Sequence, residues 1–99
     1  MLTEHELEKI AQWMTGEDKP LEALRVAVAG YTEQVIASYQ ATVQSMERKY
    51  GCDFGKFQER LGEDLTLSWE HEQDYMQWEA AVTNLPELER ITLYLKSNA

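Results

Sequence analysis

The side chains best suited to chemistry surround His71, an imidazole that is followed by carboxylates at Glu72 and Asp74. His71 and Asp74 are spaced to meet on one turn of a helix, but two ligands do not make a metal site. A di-iron site needs a Glu three residues before a His, and neither His5 nor His71 has one. The zinc-protease motif H-E-x-x-H is also absent, because neither His has a second His four residues later. We therefore expect no catalytic residue, no metal site and no cofactor. A small enzyme or metal carrier built on His71 is only the third hypothesis.

The composition is that of an acidic chain with enough hydrophobic residues to form a folded core. The 99 residues carry 18 Asp and Glu against 9 Lys and Arg, a formal net charge of -9, and 43% of them are hydrophobic. This length fits one domain, which we assign to residues 1–99. The excess of acid disfavours direct binding to nucleic acid or to a membrane surface, because both attract basic patches.

The same composition indicates a cytoplasmic protein. No run of about 18 apolar residues is long enough to cross a bilayer. Glu4 and Glu6 place acids where a signal peptide carries positive charge. Cys52 is the only cysteine, so no intrachain disulfide can form.

Apolar periodicity predicts an all-α fold, a small bundle of four to five helices. Thr3 and Glu6 have the spacing of a capping box before a helix from about Glu4 to Met14, which Gly16 ends. One face of that helix carries Leu7, Ile10, Trp13 and Met14.

A long central helix is predicted from Pro20 to Tyr50, where Gly51 ends it. Its apolar stripe is close to the seam of a coiled coil. Between Val26 and Met46 the only charged residue is Glu33, and about 31 residues would span roughly 46 Å, more than a compact domain of this size needs. Either this helix bends near Gly30, or it packs along a second copy of the chain or another partner. It is then either a central helix that the other helices wrap or the interface of an oligomer such as a homodimer. The interface residues would be Leu24, Val28, Tyr31, Val35, Tyr39, Val43 and Met46.

Two further helices follow. Asp53 can cap a short third helix, and Ser68 can cap a fourth that begins at about Trp69. Pro86 predicts a kink or a break, and Asn84 with Glu87 offers a second capping box for a fresh start there.

Charge is segregated in the last third of the chain. Between Arg60 and Arg90 there is no Lys or Arg, but there are eight acids with aromatic residues among them. Aromatic side chains anchor interfaces and acids steer a basic partner, so this stretch predicts a surface for a basic protein. Alternatively the aromatic residues are core and the acids are a solvated face; Trp69 and Trp78 can each be anchor or core. The predicted partner-binding residues are Trp69, Glu70, Glu72, Asp74, Tyr75, Trp78 and Glu79.

The runs Tyr50–Phe57 (YGCDFGKF) and Trp69–Glu79 (WEHEQDYMQWE) resemble a pattern in small acidic helical antitoxins of bacteria and archaea, which are encoded beside a small toxin. The resemblance covers roughly residues 50–79 and implies no catalytic residue. Pro86 departs from the uninterrupted helix that such proteins would have at this point.

Two functions therefore compete. The first is a non-enzymatic acidic interaction module, an antitoxin in its most specific form, which neutralises a basic toxin by covering its cationic surface. The second is a homo-oligomeric structural or assembly protein built on the long helix 20–50, in which the acidic tract serves solubility. The two are compatible, because an antitoxin can itself be a dimer.

Overall fold

The computed structural model of the chain describes residues 2–97 and places four α-helices and no β-strand among them. The helices are α1 (Glu4–Thr15), α2 (Pro20–Tyr50), α3 (Phe54–Arg60) and α4 (Trp69–Ser97). The predicted all-α class and the long helix over residues 20–50 are therefore confirmed.

Contacts along the chain divide it into two compact units. The first holds the described residues up to Val35 together with those from Ile91 onward, and the second runs from Ile36 to Arg90. The assignment of residues 1–99 to a single domain stays a prediction.

Local signals in the sequence set most helix ends. Three side chains accept a hydrogen bond from the backbone N–H three residues ahead and so cap a helix N-terminus: Thr3 at 3.1 Å, Asp53 at 2.8 Å and Ser68 at 3.2 Å. Gly16 and Gly51 follow α1 and α2 with φ angles of 74° and 68°. A side chain there would be strained, which explains why glycine stands at both positions.

Helix α4 passes through Pro86, so the predicted break is wrong, and of the four to five helices predicted the described residues form four. Proline has no N–H to donate to the carbonyl of Val82, and in a helix interior it costs about 3 kcal/mol relative to alanine. Packing on both sides offsets that loss, because Ala81 is fully buried and Leu88 is half-buried.

The predicted second capping box is wrong for the same reason. The side-chain amide of Asn84 donates to the hydroxyl of Tyr39 at 3.2 Å and so ties α4 to α2. Glu87 accepts a hydrogen bond from the guanidinium of Arg90, one turn further along.

The second unit has an aromatic core. Trp78 and Phe57 are the largest fully buried side chains, and Met46 completes the buried cluster. The ring of Trp78 lies 5.1 Å from that of Phe57, 5.5 Å from that of Phe54 and 6.1 Å from that of Tyr50 (centroid distances). Residues of α2, α3 and α4 thus meet around one indole.

Two sequence predictions change with this core. Trp78 is completely buried and has no surface to offer to a partner, so it leaves the predicted partner-binding set. Met46 is only 7% exposed against the same cluster, so it leaves the predicted oligomer interface. The reason is that both side chains fill the space between helices of their own chain.

The first unit, unlike the second, has few buried residues among those described. Among its described residues only Ala23 and Thr32 are buried, and both side chains are small. Leu7, Trp13 and Met14 on α1 are exposed by 54%, 85% and 73%. This unit therefore leaves on its surface the apolar face that the spacing along α1 predicts.

The aromatic core gives the first prediction. Trp78→Ala should lower the free energy of unfolding by about 3–5 kcal/mol, because it removes the largest buried side chain and leaves a cavity. Trp78→Phe should be milder, since it also removes an indole N–H that is buried without an acceptor among the described residues. Urea unfolding followed by far-ultraviolet circular dichroism measures both changes.

Trp69→Ala is the matched control, because Trp69 is 68% exposed and its loss should change stability by less than about 1 kcal/mol. Equal destabilisation by the alanine variants at 69 and 78 would contradict this description of the core.

Candidate functional site

An apolar groove of about 370 Å³ lies on the second unit, where the connection after α3 meets the first two turns of α4. It is lined by Leu61, Trp69, Glu72, Tyr75 and Met76. Trp69 is 68% exposed and Met76 is 56% exposed, so the groove offers large apolar side chains to a binding partner. Among the described residues that line it, Glu72 is the only one with a carboxylate.

The backbone between α3 and α4 positions this groove. The N–H of Gly62, a residue with a φ of 83°, donates to the carbonyl of Leu65 at 2.8 Å. The N–H of Leu65 donates in turn to the carbonyl of Arg60 at 3.1 Å. These bonds close a tight turn that holds Leu61 beside the start of α4. The ring of His71 hydrogen-bonds the carbonyl of Thr66 at 2.6 Å through Nδ1, which fixes the approach to α4.

Arg60 joins the turn to the end of α2. Its guanidinium forms an ion pair with Asp64 at 3.0 Å and donates to the carbonyl of Tyr50 at 2.9 Å. That carbonyl belongs to the last turn of α2, whose C-terminal dipole favours a cation. These two contacts of Arg60 hold the turn, and with it Leu61 at the edge of the groove, against the end of α2.

A polar network ties the first turns of α4 to the end of α2. The ammonium of Lys49 lies 2.8 Å from the carboxylate of Glu70 and 2.7 Å from that of Asp74. The hydroxyl of Tyr50 donates to the same Asp74 oxygen as Lys49 does. Two neighbouring residues of α2 thus bind one carboxylate, which fixes the rotation of α4 and the direction in which Trp69 points.

The ionisation of this network follows from its contacts. Burial opposes the charge of Asp74, but hydrogen bonds from Lys49 and Tyr50 outweigh it and hold the pKa of the carboxyl below its usual 3.8. Burial, together with the hydrogen bond to Asp74, raises the pKa of Tyr50 to about 12. Hydrogen bonds to Asp74 and Glu70 raise the pKa of Lys49 above its ordinary value.

The structure separates the predicted partner-binding residues into three groups. Trp69, Glu72 and Tyr75 line the groove. Glu79 is exposed on α4. Glu70 and Asp74 both pair with Lys49, so neither is the free acid that the sequence suggested. Asp74 is only 9% exposed, whereas the side chain of Glu70 is 68% exposed.

The predicted interface of α2 is divided as well. Leu24, Val28 and Tyr31 are exposed by 49%, 41% and 69%. Val43 packs half-buried against the aromatic core. Val35 and Tyr39 are half-buried.

Sequence reasoning missed Leu61 and Met76 as part of the groove, and it missed the role of Lys49. Met76 has a signal, because it follows Trp69 and Glu72 at helical spacing. No sequence signal indicates the contact between Lys49 and Asp74, because the two residues are 25 positions apart and only the tertiary fold brings them together.

Within residues 2–97, no three histidine, cysteine or acidic side chains are grouped so that they could hold a metal ion. Over the same residues, no helix combines the length and the apolar character needed to cross a membrane.

Comparison of the chain with protein-family models, with curated proteins and with solved structures finds no match. The resemblance to antitoxins therefore stays a prediction, and function has to be argued from the groove itself.

The polar network gives a prediction on pH. Asp74→Asn should lower the free energy of unfolding at pH 7 by about 1–3 kcal/mol, because Lys49 and Tyr50 lose a charged acceptor. The native pKa of Asp74 lies below 3.8, so its stabilising effect is present above that pH and disappears as the pH falls through the native value. Urea unfolding from pH 7 down to pH values below 3.8 should show the gap to the original chain closing.

Glu63→Gln serves as the control, since Glu63 is an exposed acid in the turn before α4. A gap between the Asp74→Asn variant and the original chain that keeps its size down to the lowest pH would show that the carboxylate charge is not what stabilises the contact.

Proposed function

We propose that this chain is a non-enzymatic protein-interaction module whose binding surface is the groove at the start of α4. The observation that carries the proposal is the exposure of Trp69 beside Glu72 in an apolar groove. Tryptophan is one of the side chains enriched among the residues that dominate binding energy near the centre of an interface. Glu72 adds one carboxylate that can pair with a cation on the partner.

The partner that suits this groove is a basic protein with an apolar side chain to insert. The surrounding stretch between Arg60 and Arg90 has no Lys or Arg of its own. Its acids attract a basic partner during approach and repel acidic ones, while the apolar groove supplies affinity on contact. Glu72 and Glu79 remain available for this role, because within residues 2–97 neither forms an ion pair.

The most specific form of the proposal is an antitoxin. In it the acidic face of α4 covers a cationic surface of a toxin that would otherwise meet RNA, and Trp69 anchors the contact in place of the buried Trp78. The net charge of -9 and the resemblance of residues 50–79 support this form. The proposal places the protein in the cytoplasm, where Cys52, a free thiol, stays reduced.

The second candidate is a homo-oligomeric assembly protein built on α2. The exposure of Leu24, Val28 and Tyr31 along one face of that helix favours it. The two candidates use different surfaces, so one chain can carry out both.

Binding to the protein encoded by the neighbouring gene tests the first candidate. We expect a complex that weakens as salt is raised, because charges steer its formation. Trp69→Ala should weaken it by about thirtyfold or more, the effect of losing an interface anchor worth at least ~2 kcal/mol. Glu72→Gln should weaken it less and reduce its dependence on salt. Isothermal titration calorimetry at two salt concentrations measures all three effects.

Glu89→Gln is the matched control, because it removes the same charge from an exposed position of α4 far along the helix from the groove. The absence of a complex at both salt concentrations would remove the proposal. Equal loss of affinity in the variants at 72 and 89 would show that overall charge, not the groove, drives binding.

A further inference from the structure

The first half of α2 and the whole of α1 each present an apolar face to solvent. On each helix the exposed residues recur at steps of three and four, which places them on one side. The exposed side chains on these faces are Leu7, Ile10, Trp13, Met14, Leu21, Leu24, Val28 and Tyr31. Trp13, the largest of them, is 85% exposed.

The unit to which these faces belong has little interior of its own. Its buried residues, among those described, are Ala23 and Thr32, and the hydroxyl of Thr32 is bonded to the carbonyl of Val28 one turn earlier. Ordering two helices costs conformational entropy that burial of apolar area must offset. Two small buried side chains supply little of that area, so the apolar faces need a cover.

Charge decides what that cover is. Between Val26 and Met46 the chain carries one charged residue, Glu33. A basic partner would find almost no acid to meet there, unlike at the groove of α4. Two copies of this chain, each with a net charge of -9, would repel each other over most of their surface but little along this uncharged stretch, which holds Val28 and Tyr31 of the exposed face. The acids of α1, Glu4, Glu6 and Glu8, lie outside it.

We propose that a second copy of the chain covers the apolar faces of α1 and of the first half of α2. The inference rests on the second candidate function and extends it to α1, with Trp13 as the anchor. Eight exposed apolar side chains offer on the order of 800 Å² per chain, which is the area that each partner of a stable complex typically buries. In a twofold dimer the same patch faces itself, so each Trp13 lies against the partner's apolar face.

Sedimentation equilibrium of the full chain, at concentrations from about 1 to 300 µM, tests the proposal. We expect a dimer for the original chain and a monomer for Leu24→Glu combined with Val28→Glu. Gln40→Glu combined with Gln44→Glu, which adds the same two charges to exposed positions of α2 away from that face, should stay a dimer. A chain that is monomeric at the highest concentration would overturn the proposal, and so would a variant with Leu24→Glu and Val28→Glu that still dimerises.

Trp13→Ala covers the case in which the variant with Leu24→Glu and Val28→Glu does not fold. A side chain that is 85% exposed has few contacts to lose within one chain, so folding should survive and the dimer should weaken at least tenfold. An unchanged dissociation constant would overturn the role of α1.

Trp69→Ala separates this proposal from the function proposed for the groove. It should leave the dimer constant unchanged, and Trp13→Ala should leave binding of the basic partner unchanged. A dimer that is weakened by Trp69→Ala would show that the two copies meet at the groove instead, which would overturn the proposed surface.

Discussion

Burial of the Trp78 indole is the contact on which the second unit depends. The ring packs against Tyr50 of α2 and against Phe54 and Phe57 of α3, so one side chain of α4 joins three helices. It also fixes the rotation of α4. At 100° per residue, Asp74 lies one turn before Trp78 on the same side, while Trp69 lies nine residues away and faces the opposite side. Placing Trp78 inside therefore brings Asp74 to Lys49 and turns Trp69 out to solvent.

The molecule combines two kinds of exposed apolar surface, which differ in charge. The groove at Trp69 is set in an acidic stretch without Lys or Arg, whereas Val28 and Tyr31 on the exposed face of α2 lie in a stretch with one charged residue. In our proposals apolar contact supplies affinity at both surfaces, and charge decides the partner. In those proposals a basic protein binds at the first surface, and a second copy of the chain binds at the second.

Much of the fold follows from local sequence. The capping residues Thr3, Asp53 and Ser68 and the helix-ending glycines act through neighbouring backbone atoms, so the helix ends are largely predictable. The continuation through Pro86 was not, because it depends on the burial of α4 residues such as Ala81, which local sequence does not show. The groove was predictable in part: spacing places Trp69, Glu72 and Met76 together, but only the tertiary fold decides which tryptophan is core. The burial of Met46 was not predictable either, because the apolar stripe of α2 does not indicate which of its residues are in the core and which are on the surface.

The solvent exposure of the three tryptophans tests this account most directly. Incorporation of 5-fluorotryptophan gives one fluorine resonance for each ring, assigned by single Trp→Phe variants, and the shift between H₂O and D₂O reports contact with water. In dilute protein we predict a clear solvent shift for Trp13 and Trp69 and none for Trp78, with the shift of Trp13 falling as concentration rises. A solvent shift at Trp78 as large as that at Trp69, or no shift at Trp69, would contradict the placement of core and groove on opposite sides of α4.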